Sequence, residues 1–410
     1  MQSLYRKTKA LRSYRIIAAV LALIALCAFI AIGYLYWDWT GFGPTRTQEG
    51  KEIPAKTLWD WMKLLIIPLV LAGGTLWFNR SRKKADDALE QERREESALE
   101  SYLDRMSELI EKGLTKSEPD SISRLLARTW TLTVLRRLNG SRKGIVVKFL
   151  TEARLITTKD CKRENIDSAI ISLRGADLNY ANLIDSNLSY VDFDHAELHG
   201  ADLRKTYLCA ARLFDVNLSK SNLSEANLYG AILNAADLRE ATFFHTTFGD
   251  TDLGGADFRN TKLSNASFHN DIMSNVKMDG VDLSESTLES CIMKGASLIN
   301  ANLSKSSAMW INLQEGNLKN ANLSKSDLRY AEMTGADLSD ANLSEADLSF
   351  ADLSLCNLSG TNLRKANLLD AKLDNADLTY ANLSKAVIKN DQIEKAKSIK
   401  GAILPELGKE

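Results

Sequence analysis

The 410-residue chain is poor in the residue types that usually carry catalytic or metal chemistry. It has only four histidines, five cysteines and five prolines. The cysteines show no CxxC pair and no regular spacing, so the sequence predicts neither a disulfide framework nor a zinc site. Dispersed thiols are typical of a reducing compartment, where cysteine serves as a small residue. They are Cys27, Cys161, Cys209, Cys291 and Cys356.

The net charge of −1 is small because two regions of opposite sign cancel. Residues 1–170 contain 29 basic and 20 acidic side chains, and residues 171–390 contain 19 basic and 29 acidic ones. The first region has the charge expected near anionic lipid, and the second has a mildly acidic surface.

Two apolar segments near the start of the chain are long enough to cross a bilayer as helices. Residues 16–37 are 22 positions without a charge, and no small-residue cleavage site follows them, which favours an anchor over a cleaved signal. Residues 60–78 form the second segment, from which Lys63 can reach the interface. The sequence thus predicts a two-helix transmembrane hairpin over residues 1–79, through which the protein contacts membrane lipid.

The charges around these segments predict their orientation. Basic clusters lie before the first span and directly after the second, whereas the loop at 38–60 holds three basic and four acidic residues. By the positive-inside rule, both termini lie in the cytoplasm. Five of the seven tryptophans fall at the span ends, as in an interfacial aromatic belt. Two buried helices of a soluble domain would not account for this placement.

A helical connector is predicted between the hairpin and the second half of the chain. Apolar residues recur at helical spacing over residues 80–112, and the Ser117–Asp120 segment interrupts the pattern. Two further amphipathic helices are expected at 121–138 and 142–155, with Asn139-Gly140 as the stop signal between them. Residues 80–160 are therefore interpreted as a cytoplasmic connector and N-terminal cap.

A strict five-residue period occupies most of the second half. From Leu173 to Leu383 every fifth residue is Leu, Phe or Met except Ala308, which gives 43 consecutive centres without an insertion. Two positions before the centre lies Ala in 23 cases, and Asp or Asn commonly stands directly before it. Neither a 3.6-residue helix nor a flat strand keeps such a pattern on one face. A square coil does, with one pentapeptide per side and two side chains per side pointing inward.

These A-(D/N)-L-x-x units resemble the pentapeptide-repeat family, which implies an all-β solenoid: a right-handed quadrilateral β-helix of four repeats per coil. The resemblance covers residues 171–388 and implies about ten to eleven coils. Segments in the first half, such as Trp59–Val70 and Thr131–Leu138, resemble two-span membrane-anchored cyanobacterial members of that family. The β-helix of residues 171–388, called the rod below, is then expected in the cytoplasm, beside a plasma or thylakoid membrane. Residues 389–410 are expected to form a C-terminal cap and tail.

Three departures from the repeat are visible. Ala308 is the undersized centre and is interpreted as the mark of a local bulge, and Asp271 places a charge at an inward position. Trp310, Tyr330 and Phe350 are spaced by twenty residues and should stack outward as an aromatic ladder. Such a ladder either packs on itself, as cross-strand aromatic neighbours do, or presents an apolar stripe to a protein partner.

The sequence favours a scaffold over an enzyme. No two histidines lie a multiple of twenty residues apart, no Ser-His-Asp set can be assembled, and the repeated Asp residues suit turns. We therefore expect no catalytic residue, cofactor, metal site or small-molecule substrate. Two hypotheses stay open: a membrane-tethered scaffold that binds an unidentified protein, and a DNA mimic that modulates a topoisomerase. A net charge of −10 over about ten coils is weak for a mimic, since duplex DNA carries one charge per roughly 1.7 Å, and binding to nucleic acid is not expected.

Overall fold

The computed structural model describes residues 46–48, 51–53, 58–156 and 169–405 of the chain. The chain divides into two units, Met1–Gln91 and Glu92–Glu410. In the first, strands β1 (Arg46–Gln48) and β2 (Lys51–Ile53) pair antiparallel. Helix α1 runs over Leu58–Glu111. The predicted first span at 16–37 lies outside the described residues. The second, at 60–78, falls within α1, and among the described residues no helix combines the length and apolarity needed to cross a membrane.

The helices predicted after residue 80 are present. A 3₁₀ turn at Leu114–Lys116 follows α1, and then come α2 (Ile122–Leu135) and α3 (Gly140–Glu152). The interpretation of Asn139-Gly140 as a helix stop was wrong. Asn139 is the N-cap of α3, and its Oδ1 accepts from the N–H of Arg142 at 3.0 Å, so the pair starts a helix.

Helix α3 lies directly against the first coil of the repeat region. The carbonyl of Gly140 accepts from the N–H of Asn182 at 2.9 Å, and Lys143 Nζ lies 2.7 Å from Asp177 Oδ1. A Cβ at Gly140 would lie 1.9 Å from Tyr180 O, and one at Gly144 would lie 2.1 Å from Asn182 O. Glycine at both positions, one helical turn apart, is therefore what lets the helix backbone reach the coil.

The repeat region is the predicted β-solenoid. Isolated parallel bridges join residues twenty apart, from Asp177–Glu197 to Asn367–Val387, and β3 (Ser267–His269) pairs in the same way with β4 (Thr287–Glu289). Twenty residues therefore form one coil of four pentapeptides, and the repeats build a right-handed β-helix. The central residues and the small residues two positions before them are buried along the β-helix, apart from the half-buried Ser186, which produces a continuous interior of alternating large and small side chains.

Each corner of the coil is a short turn stabilised by the Asp or Asn side chain. In residues 335–354, the side chains of Asp337, Asn342, Asp347 and Asp352 accept from the N–H two residues on at 3.0–3.2 Å. These residues thus form Asx turns, as their position in the repeat predicts. The residue two positions after each central residue has a left-handed backbone conformation, with φ of 59–72° at Gly335, Asp340, Glu345 and Phe350. An inward serine is tolerated because its hydroxyl donates to the preceding central carbonyl, as Ser326 does to Leu323 at 2.6 Å.

The twenty-residue register changes at the C-terminal end but pairing continues. Helix α4 (Asn390–Glu394) inserts one residue, after which Asp377 bridges Ser398 and Asn382 bridges Ile403. The repeat motif ends near Ile388, as read from the sequence, whereas the last coil closes fifteen residues later with segments that lack the motif.

The irregular turn of the rod is not at Ala308. That residue is buried and its N–H donates to Asp327 O at 2.8 Å in the ordinary pattern, so the predicted bulge was wrong. The neighbouring inward position holds Ile311 where most repeats have Ala, and this larger side chain offsets the lost volume. The backbone departs from the pattern instead at Gly249, whose φ is +155°.

Candidate functional site: an exposed aromatic ladder

The aromatic ladder predicted from the period is formed by Trp310, Tyr330 and Phe350. The ring centroids of Trp310 and Tyr330 are 5.7 Å apart with planes inclined by 21°, and those of Tyr330 and Phe350 are 5.0 Å apart and inclined by 7°. The three side chains remain 42–56% exposed. The stacking shields the ring faces from one another and leaves the edges as one apolar stripe about two coil spacings long, roughly 10 Å.

The backbone fixes the direction of these rings. All three residues follow their centre by two positions and have φ of 56–61°, the left-handed conformation of the corner. Side chains there point away from the interior, and the hydrogen-bonded coils hold successive rungs in register. Because bulky residues rarely adopt a positive φ, three aromatic residues on one corner are placed at some conformational cost.

The surroundings of the ladder are acidic. The two sides of the coil that meet at this corner, residues 306–315, 326–335 and 346–355, contain one basic and five acidic side chains, a net charge of −4. Asp327 forms an ion pair with Arg329 at 2.7 Å, and Glu332 accepts from the amide of Asn312 at 2.8 Å. The stripe therefore combines an apolar centre with an acidic rim, which suits an apolar side chain flanked by Lys or Arg on a partner.

Asp271 is a structural residue of the irregular turn. At regular turns the inward residue donates its N–H to the preceding central carbonyl, as Ala256 does to Leu253 at 3.0 Å. At Thr251 this N–H donates to Oδ1 of Asp271 at 2.7 Å, and the N–H of His269 donates to Oδ2 at 2.9 Å. The buried carboxyl thus replaces a carbonyl that the distorted turn cannot supply. Burial, the largest influence, raises its pKa from 3.8 to about 6.

Three other chemically reactive side chains, His195, Cys291 and Cys356, are engaged in the fold. His195 Nδ1 lies 2.9 Å from Asp215 Oδ2, and its Nε2 lies 2.8 Å from Arg174. Burial raises the pKa of the Cys291 and Cys356 thiols to about 12, so both are protonated and unreactive at neutral pH. Within the described ranges no group of His, Cys, Asp and Glu is placed to hold a metal ion.

This architecture defines a class of protein, the all-β solenoid built from five-residue repeats. The sequence profile described as Pentapeptide repeats matches in eight copies between residues 171 and 390, which is more than half of the chain. The chain belongs to the pentapeptide-repeat family. No curated protein matches it in sequence.

Several solved structures of the family resemble the chain. One is HetL, a pentapeptide repeat protein involved in heterocyst differentiation regulation from the cyanobacterium Nostoc sp. strain PCC 7120; it has 28% identity and a TM-score of 0.27, covering 57% of this chain and 88% of HetL. QnrB1, a plasmid-mediated fluoroquinolone resistance protein, has 14% identity and a TM-score of 0.31, and the match covers 49% of this chain and 94% of QnrB1. A pentapeptide repeat protein of the Arabidopsis thaliana thylakoid lumen has 32% identity and a TM-score of 0.13, and the match covers 28% of this chain and 73% of that protein.

Proposed function

We propose that this protein is a non-catalytic scaffold that binds another protein at the aromatic ladder of its rigid rod. The observation that carries the proposal is the stacked, half-exposed stripe of Trp310, Tyr330 and Phe350 inside an acidic rim. A repeat protein holds such a stripe rigidly because each coil is bonded to its neighbours, so little conformational entropy is lost on binding. The partner is expected to present an apolar side chain between basic residues.

The alternative explanation is that the rings only stabilise the rod, and crosslinking in cells separates the two. A photoreactive residue in place of Ser290, the next position along the same corner, should capture a discrete partner. The Trp310→Ser/Tyr330→Ser double variant should lose this capture, and Leu355→Ser should retain it. Leu355 is the matched control because it is 61% exposed at the same repeat position, with φ of 62°, on the next corner. Capture that survives in the double variant would leave the ladder a purely structural feature.

A membrane tether is part of the proposal. It rests on the uncharged segment at 16–37, the apolar segment at 60–78 and the basic clusters outside them. The full chain should stay with membranes after alkaline carbonate extraction, and a chain lacking residues 1–79 should not. Release of the full chain from membranes by carbonate would refute the tether and leave the ladder hypothesis intact.

DNA mimicry stays the alternative function. Ion pairs along the rod place Lys beside Glu, as at Lys305–Glu285 (2.8 Å) and Lys365–Glu345 (3.2 Å), which breaks up the continuous negative potential that a mimic needs. Inhibition of gyrase supercoiling by the protein would favour this alternative over the scaffold.

A further inference from the structure

The backbone beside the aromatic ladder is already engaged in bonds between coils. The N–H groups of Trp310, Tyr330 and Phe350 donate to carbonyls of the following coil at 3.0–3.1 Å. In residues 326–330 and 346–350 all five backbone N–H groups have an acceptor, since the fourth donates to an Asp side chain at 3.0–3.2 Å. A strand laid along this corner would therefore find no row of free donors with which to extend the sheet.

The spacing of the rings corresponds to one turn of an α-helix. The centroids are 5.7 Å apart from Trp310 to Tyr330 and 5.0 Å apart from Tyr330 to Phe350, and an α-helix advances about 5.4 Å per turn. Side chains on one face of a strand recur about every 6.6–6.8 Å, so a strand loses register by about 1 Å or more at each ring. A polyproline II segment advances roughly 9.3 Å per turn and meets at most two of the three rings. A helix parallel to the rod axis therefore fits best, with one side chain per turn beside each ring.

A row of carboxylates runs along each side of the ladder. Parallel bridges join Asp327 to Asp347 before the corner and Glu332 to Asp352 after it. Asp327 and Asp352 pair with basic side chains at 2.7 and 3.2 Å. Asp347 and Glu332 instead accept from asparagine amides at 3.0 and 2.8 Å, and these neutral donors do not cancel their charge. A partner on the ladder thus meets negative charge on both of its flanks.

We propose that the ladder binds a basic amphipathic α-helix that lies parallel to the axis of the rod. Apolar side chains at positions i, i+4 and i+7 of this helix contact the ring edges, and flanking Lys or Arg side chains face the two acidic rows. A helix satisfies its own backbone hydrogen bonds, so it needs none from a corner whose N–H groups are already used. The inference rests on the proposed function, because it names the kind of partner that the ladder binds.

The first experiment selects peptides on the immobilised full chain, held in an uncharged detergent. The probe is a displayed library of random peptides of about 15 residues, roughly four helical turns. Selected peptides should bind the wild type and the matched control Leu355→Ser, and should not bind Trp310→Ser/Tyr330→Ser. Their sequences should carry apolar residues three and four positions apart, with Lys or Arg on either side.

The sequence pattern of the selected peptides separates this inference from the proposed function. Peptides that depend on the ladder but alternate apolar and polar residues, or carry Pro-x-x-Pro, would overturn the helix and leave the proposed function standing. If no peptide depends on the ladder, this inference fails, and the crosslinking in cells then decides the proposed function by itself.

The second experiment titrates the most enriched peptide onto the full chain by calorimetry. A proline at the centre of the peptide should weaken binding about tenfold or more, because proline breaks a helix. Asp347→Asn/Glu332→Gln should weaken binding about fivefold, since it removes one charge from each acidic row. The control Asp337→Asn/Glu197→Gln removes two carboxylates that also accept from asparagine amides, on a side of the coil that does not adjoin this corner, and should weaken binding about twofold or less. Equal losses in the two double variants would refute the basic flanks, and a tolerated proline would refute the helix.

Discussion

Replacing Asp271 with asparagine should remove a specific pH dependence from the stability of the middle coils. The aspartate side chain is fully buried and accepts from the N–H groups of Thr251 and His269 through its two oxygens. Asparagine has one acceptor oxygen, so one buried N–H would face an amide N–H₂. Leaving one buried donor unsatisfied costs about 1–3 kcal/mol at neutral pH.

The pH dependence follows from the raised pKa of Asp271. Its pKa is 3.8 ordinarily and about 6 in the fold, so between these values the folded state holds a proton that the unfolded state has lost. The resulting stabilisation is fully present below pH 3.8 and is lost as pH rises through 6. At 1.36 kcal/mol per pKa unit, the free energy of unfolding should fall by about 3 kcal/mol across this window. The two N–H donors lower the pKa of Asp271 less than burial raises it, so burial decides the direction of the shift.

The measurement is guanidinium unfolding of the full chain at several pH values between 4 and 7, with hydrogen exchange of the segment at 246–275 to localise the effect. The free energy of unfolding of the wild type minus that of Asp271→Asn should decrease by about 2 kcal/mol over this range, because at pH 4 the unfolded carboxyl is already partly ionised. Asp327→Asn is a control of opposite sign, since the hydrogen bond from Arg329 lowers the pKa of Asp327 and its stabilisation is lost on acidification. A pH-independent difference for Asp271→Asn, or one that grows with pH, would refute the reasoning.

Two further predictions concern the cap and the corners. Gly144→Ala should destabilise the chain by at least about 2 kcal/mol in guanidinium unfolding, because its Cβ would lie 2.1 Å from Asn182 O and force α3 off the first coil. The control is Ser141→Ala, at an exposed site of the same helix, which should change the free energy of unfolding little. Equal effects of the two substitutions would contradict the close approach. Phe350→Ser should lower the free energy of unfolding by about 1 kcal/mol through lost stacking. Phe350→Gly should be nearly neutral because relief of the left-handed strain offsets that loss, and a Gly variant no more stable than the Ser variant would argue against strain at this corner.

Much of the solenoid could be predicted from sequence because its determinants are local and periodic. The alternation of central Leu with small residues specifies which side chains enter the coil, and Asp or Asn before the centre specifies the turn. Since hydrogen bonding between coils repeats every four units, the same period placed Trp310, Tyr330 and Phe350 on one corner. The period also identified Asp271 and Ala308 as departures, but it could not say how each is accommodated.

The contacts between the helices before the repeat lay beyond sequence reasoning. Their amphipathic pattern predicts that they pack, but it does not say which side chains meet. Only the structure shows that the Tyr102 hydroxyl of α1 lies 2.9 Å from Thr131 Oγ1 of α2.

The sequence by itself determined the period, the inward and outward sides of each repeat and the ladder, because these depend on contacts that recur every five or twenty residues. Tertiary structure alone decided that Asp271 supplies the acceptor missing at the turn of Gly249. It also decided that Gly140 and Gly144 lie against the first coil, and that the last coil closes with a one-residue shift. These contacts join segments with no common period, and so their geometry depends on how the chain packs and not on the repeated motif.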